Sequence, residues 1–325
     1  MKEITFTKTP HMNASERRIA DLHSVFNILN ILVCELSLVE PDDETLISRH
    51  AKIDGELFEI SRQMKDGGDL VELLKRIRDS GPTALDFVRE AGAREDDRGR
   101  KDEIGEILGN LESVYTILGE RLNELEVRMD DPDVWIQIEL DDFRRQFKEV
   151  FVAIAKNSKG RYQVHFNLAR KRDEDYYIDL RVETIGENQP LWIPLRMIDI
   201  LRDLTANARK YTKPGGKVAL AVYQDEESIS AVIEDSGCGI PDDELERVAE
   251  FGYRGSNVRD QASFGGGYGL TKAVWLVTSW GGSLTIQSDL NKGTTIRVDV
   301  PNIPRLEGVQ PWPRAISKEG QRSMA

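Results

Sequence analysis

Leu22, Leu29 and Leu36 stand seven residues apart, with Val25, Leu32 and Val39 at the complementary offsets. The same spacing returns in Ile104, Leu111, Leu118 and Leu125, flanked by Ile107, Val114 and Leu122. A seven-residue apolar repeat puts one stripe on a helix, and that stripe must be buried against another helix. Residues 14–135 otherwise lack strand alternation, so the first part of the chain, 1–135, reads as a helical domain. Asn13 with Glu16 forms a variant of the capping box at its start. Two long helices joined by an excursion near 41–100 predict a hairpin that pairs with a second copy across a homodimer. Within the excursion, "DLVELLKRIRDS" and "PTALDFVREAG" read as shorter helical pieces. Gly-Gly, Ser-Gly-Pro and the run "REDDRGRKDE" punctuate them with turns.

After "DDPDVW" the period changes. Following the helix "LDDFRRQFKEVFVAIAKN", six stretches alternate with the two-residue period of half-buried strands: "YQVHFNL", "YYIDLRVE", "KVALAVYQ", "SISAVIE", "SLTIQSD" and "TTIRVDV". Between them "PLRMIDILRDLTANARKYT" reads as a helix, with Pro194 near its first turn and "KPGGK" stopping it. The fold class is therefore α+β: a helical region, then an α/β sandwich over 136–303, with 304–325 as a tail.

Composition excludes several classes of function. Against 44 basic side chains stand 57 acidic ones, a formal net charge of −13. With no basic patch in view, phosphate backbones and anionic membrane surfaces repel such a chain, so nucleic acid is not an expected partner. Cys34 and Cys238 lie far apart and offer neither a disulfide framework nor metal-ligand spacing, which fits a reducing cytoplasm. No stretch is apolar for long enough to predict a membrane span.

Four short stretches of the second region carry chemistry. In "DILRDLTANARKYT", Asp199, Asp203 and Asn207 fall at four-residue steps on one helical face. Their oxygens suit a hard cation such as Mg²⁺, and the same stripe can equally be a solvated face. In "EDSGCGIPDDE", Asp235 ends a strand and Gly237 and Gly239 follow; the carboxylate can accept from an exocyclic amine while the glycines admit a flat base. In "FGGGYGLTKAVWLV", Gly265, Gly267 and Gly269 open a helix whose free N–H groups form an anion site, or else a hinge. In "NKGTTIRVDVP", Gly293 and Thr294 make a tight turn between strands.

In order and spacing these stretches resemble the N, G1, G2 and G3 boxes of the GHKL superfamily, to which gyrase, the heat-shock chaperone, histidine kinases and the mismatch-repair ATPase belong. "GYGLTKAVWLVTSWGGSLTIQSDLNKGTTIRVDVP" is similar to the histidine-kinase end of that group, and "NARKYT" and "FGYRGSN" resemble its N box and phenylalanine box. The resemblance covers roughly residues 138 to 301. It implies an ATP-binding domain in which Asn207 ligates Mg²⁺ and Asp235 contacts adenine. Lys210 and Tyr211 would lie beside phosphates and base, and Gly265, Gly267, Gly269 and Leu270 would border the phosphates. Thr294 would complete the site, and 242–264 would form a mobile lid in which Arg254 either reaches a phosphate or is a surface arginine. Histidine kinases usually carry a second asparagine where this chain has Asp203; the carboxylate there either favours hydrolysis or changes how the metal is held.

An ATP domain of this type gives His23 a role to test. "HSVFNILN" resembles the His-x-x-x-Asn-x-Leu pattern of one class of phosphoacceptor helices. With Leu22 on the seam, His23, Asn27, Asn30 and Cys34 are expected on the opposite, solvent-facing side. Ser24 stands where many such kinases place an acid. His11, His50 and His165 read as bystanders. The resemblance implies a histidine kinase that autophosphorylates His23 and passes the phosphoryl group to an aspartate on a response-regulator receiver. The excursion at 41–100 reads either as a regulatory insert or as a docking surface for a separate sensor protein. The alternatives are a GHKL-type ATPase and a nucleotide-gated partner-switching or phosphotransfer module that leaves His23 unmodified.

Overall fold

The computed structural model describes residues 2–156, 162–186, 189–259 and 266–303. The expected tail, 304–325, lies outside them. The chain divides into two compact units, one of Met12–Asp130 and one of Met1–His11 with Asp131–Ala325.

The first unit is helical: α1 (Ala14–Asp21), α2 (His23–Ser37), α3 (Glu44–Asp66), α4 (Leu70–Arg94) and α5 (Arg98–Asp130). The capping box is present, since Asn13 Oδ1 accepts from Glu16 N at 2.9 Å and Glu16 accepts from Asn13 N at 2.8 Å. Asp43 and Asp69 cap α3 and α4, and Gly67, in the left-handed region at φ 94°, ends α3. Between α1 and α2 the chain bends by 57°.

Helices α2 to α5 close into a four-helix bundle in which α2 and α4 each pack against both α3 and α5. The cross-links run in antiparallel order. Arg76 Nη1 donates to Gln63, and Arg49 bonds Glu90. Arg78 Nη2 reaches Asn123 at 2.8 Å, and Arg89 Nη2 reaches Glu112 at 3.1 Å. Asn110 meets Glu35 at 3.3 Å. Both apolar seams lie inside: Leu29, Leu32, Leu36, Leu111 and Leu118 are all buried with Leu57, Ile60 and Phe87 of α3 and α4.

This corrects the expected hairpin. Within the chain the seams pack against the excursion, whose helices run 23 and 25 residues. Ser80-Gly81-Pro82 lies within α4 and makes no turn. The missing N–H of Pro82 removes one helical bond, the Ser80 hydroxyl bonds Ile77 O at 2.7 Å, and Gly81 lets the Tyr115 ring approach, 3.2 Å from where a Cβ would stand.

The second unit is an α/β sandwich. Its seven-stranded sheet runs β1 (Lys2–Phe6), β8 (Ser283–Asp289), β9 (Gly293–Pro301), β7 (Ser228–Asp235), β6 (Lys217–Gln224), β4 (Tyr176–Thr184) and β3 (Val164–His165). The β3–β4 and β4–β6 pairs are parallel and the others antiparallel. A small antiparallel pair, β2 (Trp135–Ile138) and β5 (Leu191–Pro194), stands apart from it. Helices α6 (Leu140–Lys156), α7 (Leu195–Tyr211) and α8 (Gly269–Ser279) pack against the sheet and share its core with Phe143, Phe147, Ile198, Leu201, Val274 and Val277.

Strand β1 departs from the expected division at 135/136. Ile4 pairs with Ile286 across β8, and Ile4 and Phe6 pack on the sandwich core. The first residues therefore belong to the α/β unit, and the helical unit is an insertion between β1 and β2. Among the described residues no single helix is long and apolar enough to cross a membrane; the bent pair α1–α2 passes that test only when joined, and the apolar face of α2 is buried in the bundle.

Candidate functional site

Helix α7 starts after Pro194, whose fixed φ suits a helix N-terminus. Its stripe of Asp199, Asp203 and Asn207 is not a solvated face. Asp199 is 1% exposed, and Lys272 of α8, with no exposed surface at all, donates from Nζ to Asp199 Oδ2 and, at 3.1 Å, to Asp203 Oδ2. One turn before Lys272, a Cβ on Gly269 would stand 3.4 Å from Asn207 Nδ2 and 3.6 Å from Asp203 Cβ. The stripe thus faces the N-terminal end of α8, where the first-turn backbone N–H groups lack helical partners.

The C-terminal end of α7 brings cations to the same place. Lys210 Nζ lies 4.9 Å from the centroid of the Tyr211 ring. Burial and the nearby Arg254 charge both lower the Lys210 pKa, and burial raises that of Tyr211. Two like charges held close in a partly buried place form a setting that a polyanion relieves. Arg254 Nη2 donates to Val258 O at 3.2 Å. Within the lid segment Glu244 accepts from Ser256 N at 2.9 Å; the segment is tied to its surroundings by Asn257 Nδ2, which donates to Gly239 O at 2.9 Å, and by the Thr271 hydroxyl of α8, which donates to Glu250 O at 3.1 Å. Residues 260–264 of the expected lid, and Gly265, lie outside the described residues. Gly267 has φ 76°, and a Cβ there would be 2.6 Å from Tyr253 O, so only glycine permits this close backbone passage.

Asp235 ends β7 beside the last turn of α7. It accepts from Gly237 N at 2.8 Å, and burial pushes its pKa up to about 6 against the pull of the Gly237 and Thr294 amides. A Cβ on Gly237 would lie 2.6 Å from Tyr211 O, and one on Gly239 2.2 Å from Asp289 O. Glycine at both positions lets the backbone pass close to its neighbours beside the carboxylate. Thr294 pairs with Asp235 across β9, and its hydroxyl is 3.0 Å from that of Ser288.

Asn207, Lys210, Tyr211, Asp235, Gly237, Gly239, Arg254, Gly267, Gly269 and Thr294 therefore gather around the C-terminal half of α7. Leu270 packs on the core next to them. A largely buried carboxylate acceptor fits a base bearing an amine, and a helix N-terminus with an amide side chain and two cations fits phosphates. Sequence reasoning missed Lys272. Its signal was a single charge within the apolar run "GLTKAVWLV", in a chain that places two aspartates four residues apart on another helix.

His23 is in the helical unit, as the first residue of α2, and it is 8% exposed. The expectation that it faces solvent is corrected: the bend at Leu22 breaks the helical register from which that face was reckoned. Its Nε2 is hydrogen-bonded to the Asn27 amide, 3.1 Å from Nδ2. His50 stacks on Phe87 with centroids 5.3 Å apart, and His165 bonds Asp175 at 2.9 Å; both hold structure.

Comparison with known proteins agrees with the geometry. Residues 193–304 match the family model described as histidine kinase-, DNA gyrase B-, and HSP90-like ATPase. The sensor protein SrrB of Staphylococcus aureus (strain NCTC 8325 / PS 47) is 31% identical over 136 residues, which is 42% of this chain and 21% of that protein's own length. SrrB of strain MRSA252 is 34% identical over 106 residues, 33% of this chain and 18% of that one. Among solved structures, a mycobacterial sensor histidine kinase, MprB, has 22% identity and a TM-score of 0.37 over 52% of this chain and 99% of that one. Full-length ShkA in complex with AMPPNP has 16% identity and a TM-score of 0.45 over 73% of this chain and 46% of that one.

Proposed function

We propose, on the premise that residues 193–304 form a histidine kinase-, DNA gyrase B-, and HSP90-like ATPase domain, that this chain is a protein-histidine kinase whose phosphoacceptor is His23. The observation that carries it is the gathering of an adenine-type acceptor, Asp235, and a phosphate-type cradle around one end of α7, in a chain that also bears a His-x-x-x-Asn-x-Leu helix.

The residues present fit a nucleotide with its divalent cation. The Asn207 amide stands beside the α8 N-terminus, where Gly269 keeps the space open, and supplies the hard oxygen that Mg²⁺ prefers. When bound, the cation neutralises phosphate charge. Asp235 orients the base, Lys210 and Arg254 face the phosphates, and the amides of Gly267 and Gly269 hold them. Asp203 has one oxygen on Lys272 and is assigned a structural part, not that of a hydrolytic base.

In the transfer, the Nε2 lone pair of neutral His23 attacks the γ-phosphorus, a P–N bond forms, and the bond to the bridging oxygen breaks to release ADP. The ring is cationic as the P–N bond forms, and the Nδ1 proton then passes to water to leave a neutral phosphohistidine ring. Asn27 must first give up its hydrogen bond to Nε2, and the ring must be uncovered. A receiver aspartate then attacks the phosphohistidine, so the expected partner is a response regulator. Since α2 to α5 complete the bundle within one chain, no second copy is needed to build it.

The burial of His23 favours a second reading, in which nucleotide gates a partner-switching surface and no phosphohistidine forms. Incubation with γ-labelled ATP and Mg²⁺ separates the two. Acid-labile, alkali-stable label on the parent, absent from His23→Ala and Asn207→Ala, is the expected result. Nucleotide binding without label would overturn the kinase reading and leave the switch.

A further inference from the structure

Lys272 has no exposed surface, yet it is charged, and it sits on the helix whose N-terminus forms half of the phosphate cradle. Its ammonium is shared between two carboxylates one turn apart on α7, the helix that carries the other half. Apolar side chains at such a contact would let two helices slide or rotate by a fraction of a turn at little cost, whereas a buried ion pair tolerates few geometries. The tie is also local. Lys272 follows Gly269 by three residues, and Asp203 precedes Asn207 by four, so Gly269 and Asn207 meet one turn from the bridge.

We infer that Lys272 is a positioning residue: through Asp199 and Asp203 it fixes the α8 N-terminal amides against Asn207 and so sets the geometry of the phosphate half of the nucleotide site. The adenine half, built on Asp235 and the β7–β9 end, does not pass through this tie. The inference rests on the nucleotide-site reading above and adds a residue that touches no nucleotide.

That separation supplies the test, done on the full chain. Lys272→Met leaves two carboxylates facing a neutral side chain. Asp199→Leu with Lys272→Met removes the fully buried pair together and replaces it with apolar side chains of like volume, which keeps the fold. Affinities for ATP and for adenosine are measured on both variants beside the parent, with thermal melting as a check on folding. ATP binding weaker by tenfold or more, with adenosine affinity within twofold of the parent in the double variant, is the expected result. Equal loss of both ligands in the folded double variant, or parental affinity for both, overturns the positioning role. A parent that binds neither ligand would instead refute the nucleotide site itself.

Discussion

Gly293 and Asp235 meet backbone to backbone: a Cβ on Gly293 would stand 1.9 Å from the Asp235 carbonyl oxygen, and Gly293 has φ 116°. The position of Asp235, the residue proposed to meet the base, is thus set by a glycine on the neighbouring strand. Gly293→Ala must push the ends of β7 and β9 apart. It is expected to cost ~3 kcal/mol or more of stability and to weaken adenosine and ATP together, as read by thermal melting and direct titration.

Asp235 gives the site a pH dependence of known sign. Its folded pKa of about 6 lies above its ordinary value, so the folded protein holds that proton more tightly than the unfolded chain does. This contribution to stability is present below about pH 4 and is lost as pH rises through about 6. Nucleotide affinity moves the other way, rising through the same window as the carboxylate ionises and becomes an acceptor only. Asp235→Asn should stabilise the unliganded protein at pH 7 by up to ~3 kcal/mol, read as a higher melting temperature, and flatten both profiles. Titrations of parent and variant between pH 5 and about 8 check it.

The closed bundle predicts a mass. Light scattering across a wide concentration range is expected to give one chain, 36.8 kDa, with no dimer growing in at high concentration. Leu111→Ala, at a fully buried seam position, should cost ~2–5 kcal/mol without altering that mass. A stable dimer that Leu111→Ala dissociates would show that the seams are shared between copies.

Strand β1 can be tested on its own. Ile4→Pro removes an N–H from the middle of the strand and disrupts its pairing with β8. Hydrogen exchange in β8 is expected to accelerate at least tenfold, while exchange in α3 and α4 stays as in the parent.

Much of this architecture was legible. Strands β4, β6, β7, β8 and β9 each announce themselves by alternation over seven to nine residues. The Asp199–Asp203–Asn207 face follows from helical period alone. What escaped has physical reasons. "KEITF" is too short to reveal a period and owes its strand to β8, a partner far along the chain. Gly81-Pro82 looks like a turn, because local chemistry cannot report that Tyr115 packs against it. The seams state that helices pair but not with whom, so a fold closed within one chain and a dimer read alike. His23 lost its predicted exposure at a bend that no residue pattern marks.

The insertion of the helical unit between β1 and β2 also orders events in time. Lys2–Phe6 are made before the bundle, and their partner, Ser283–Asp289, is made well after it. The bundle has local helix pairings and can fold while synthesis continues. The sandwich cannot take β1 as its edge strand until Ser283–Asp289 exist. A chain interrupted before β8 therefore has a finished bundle and an unpaired β1, so the β1–β8 pairing records that synthesis has passed Asp289.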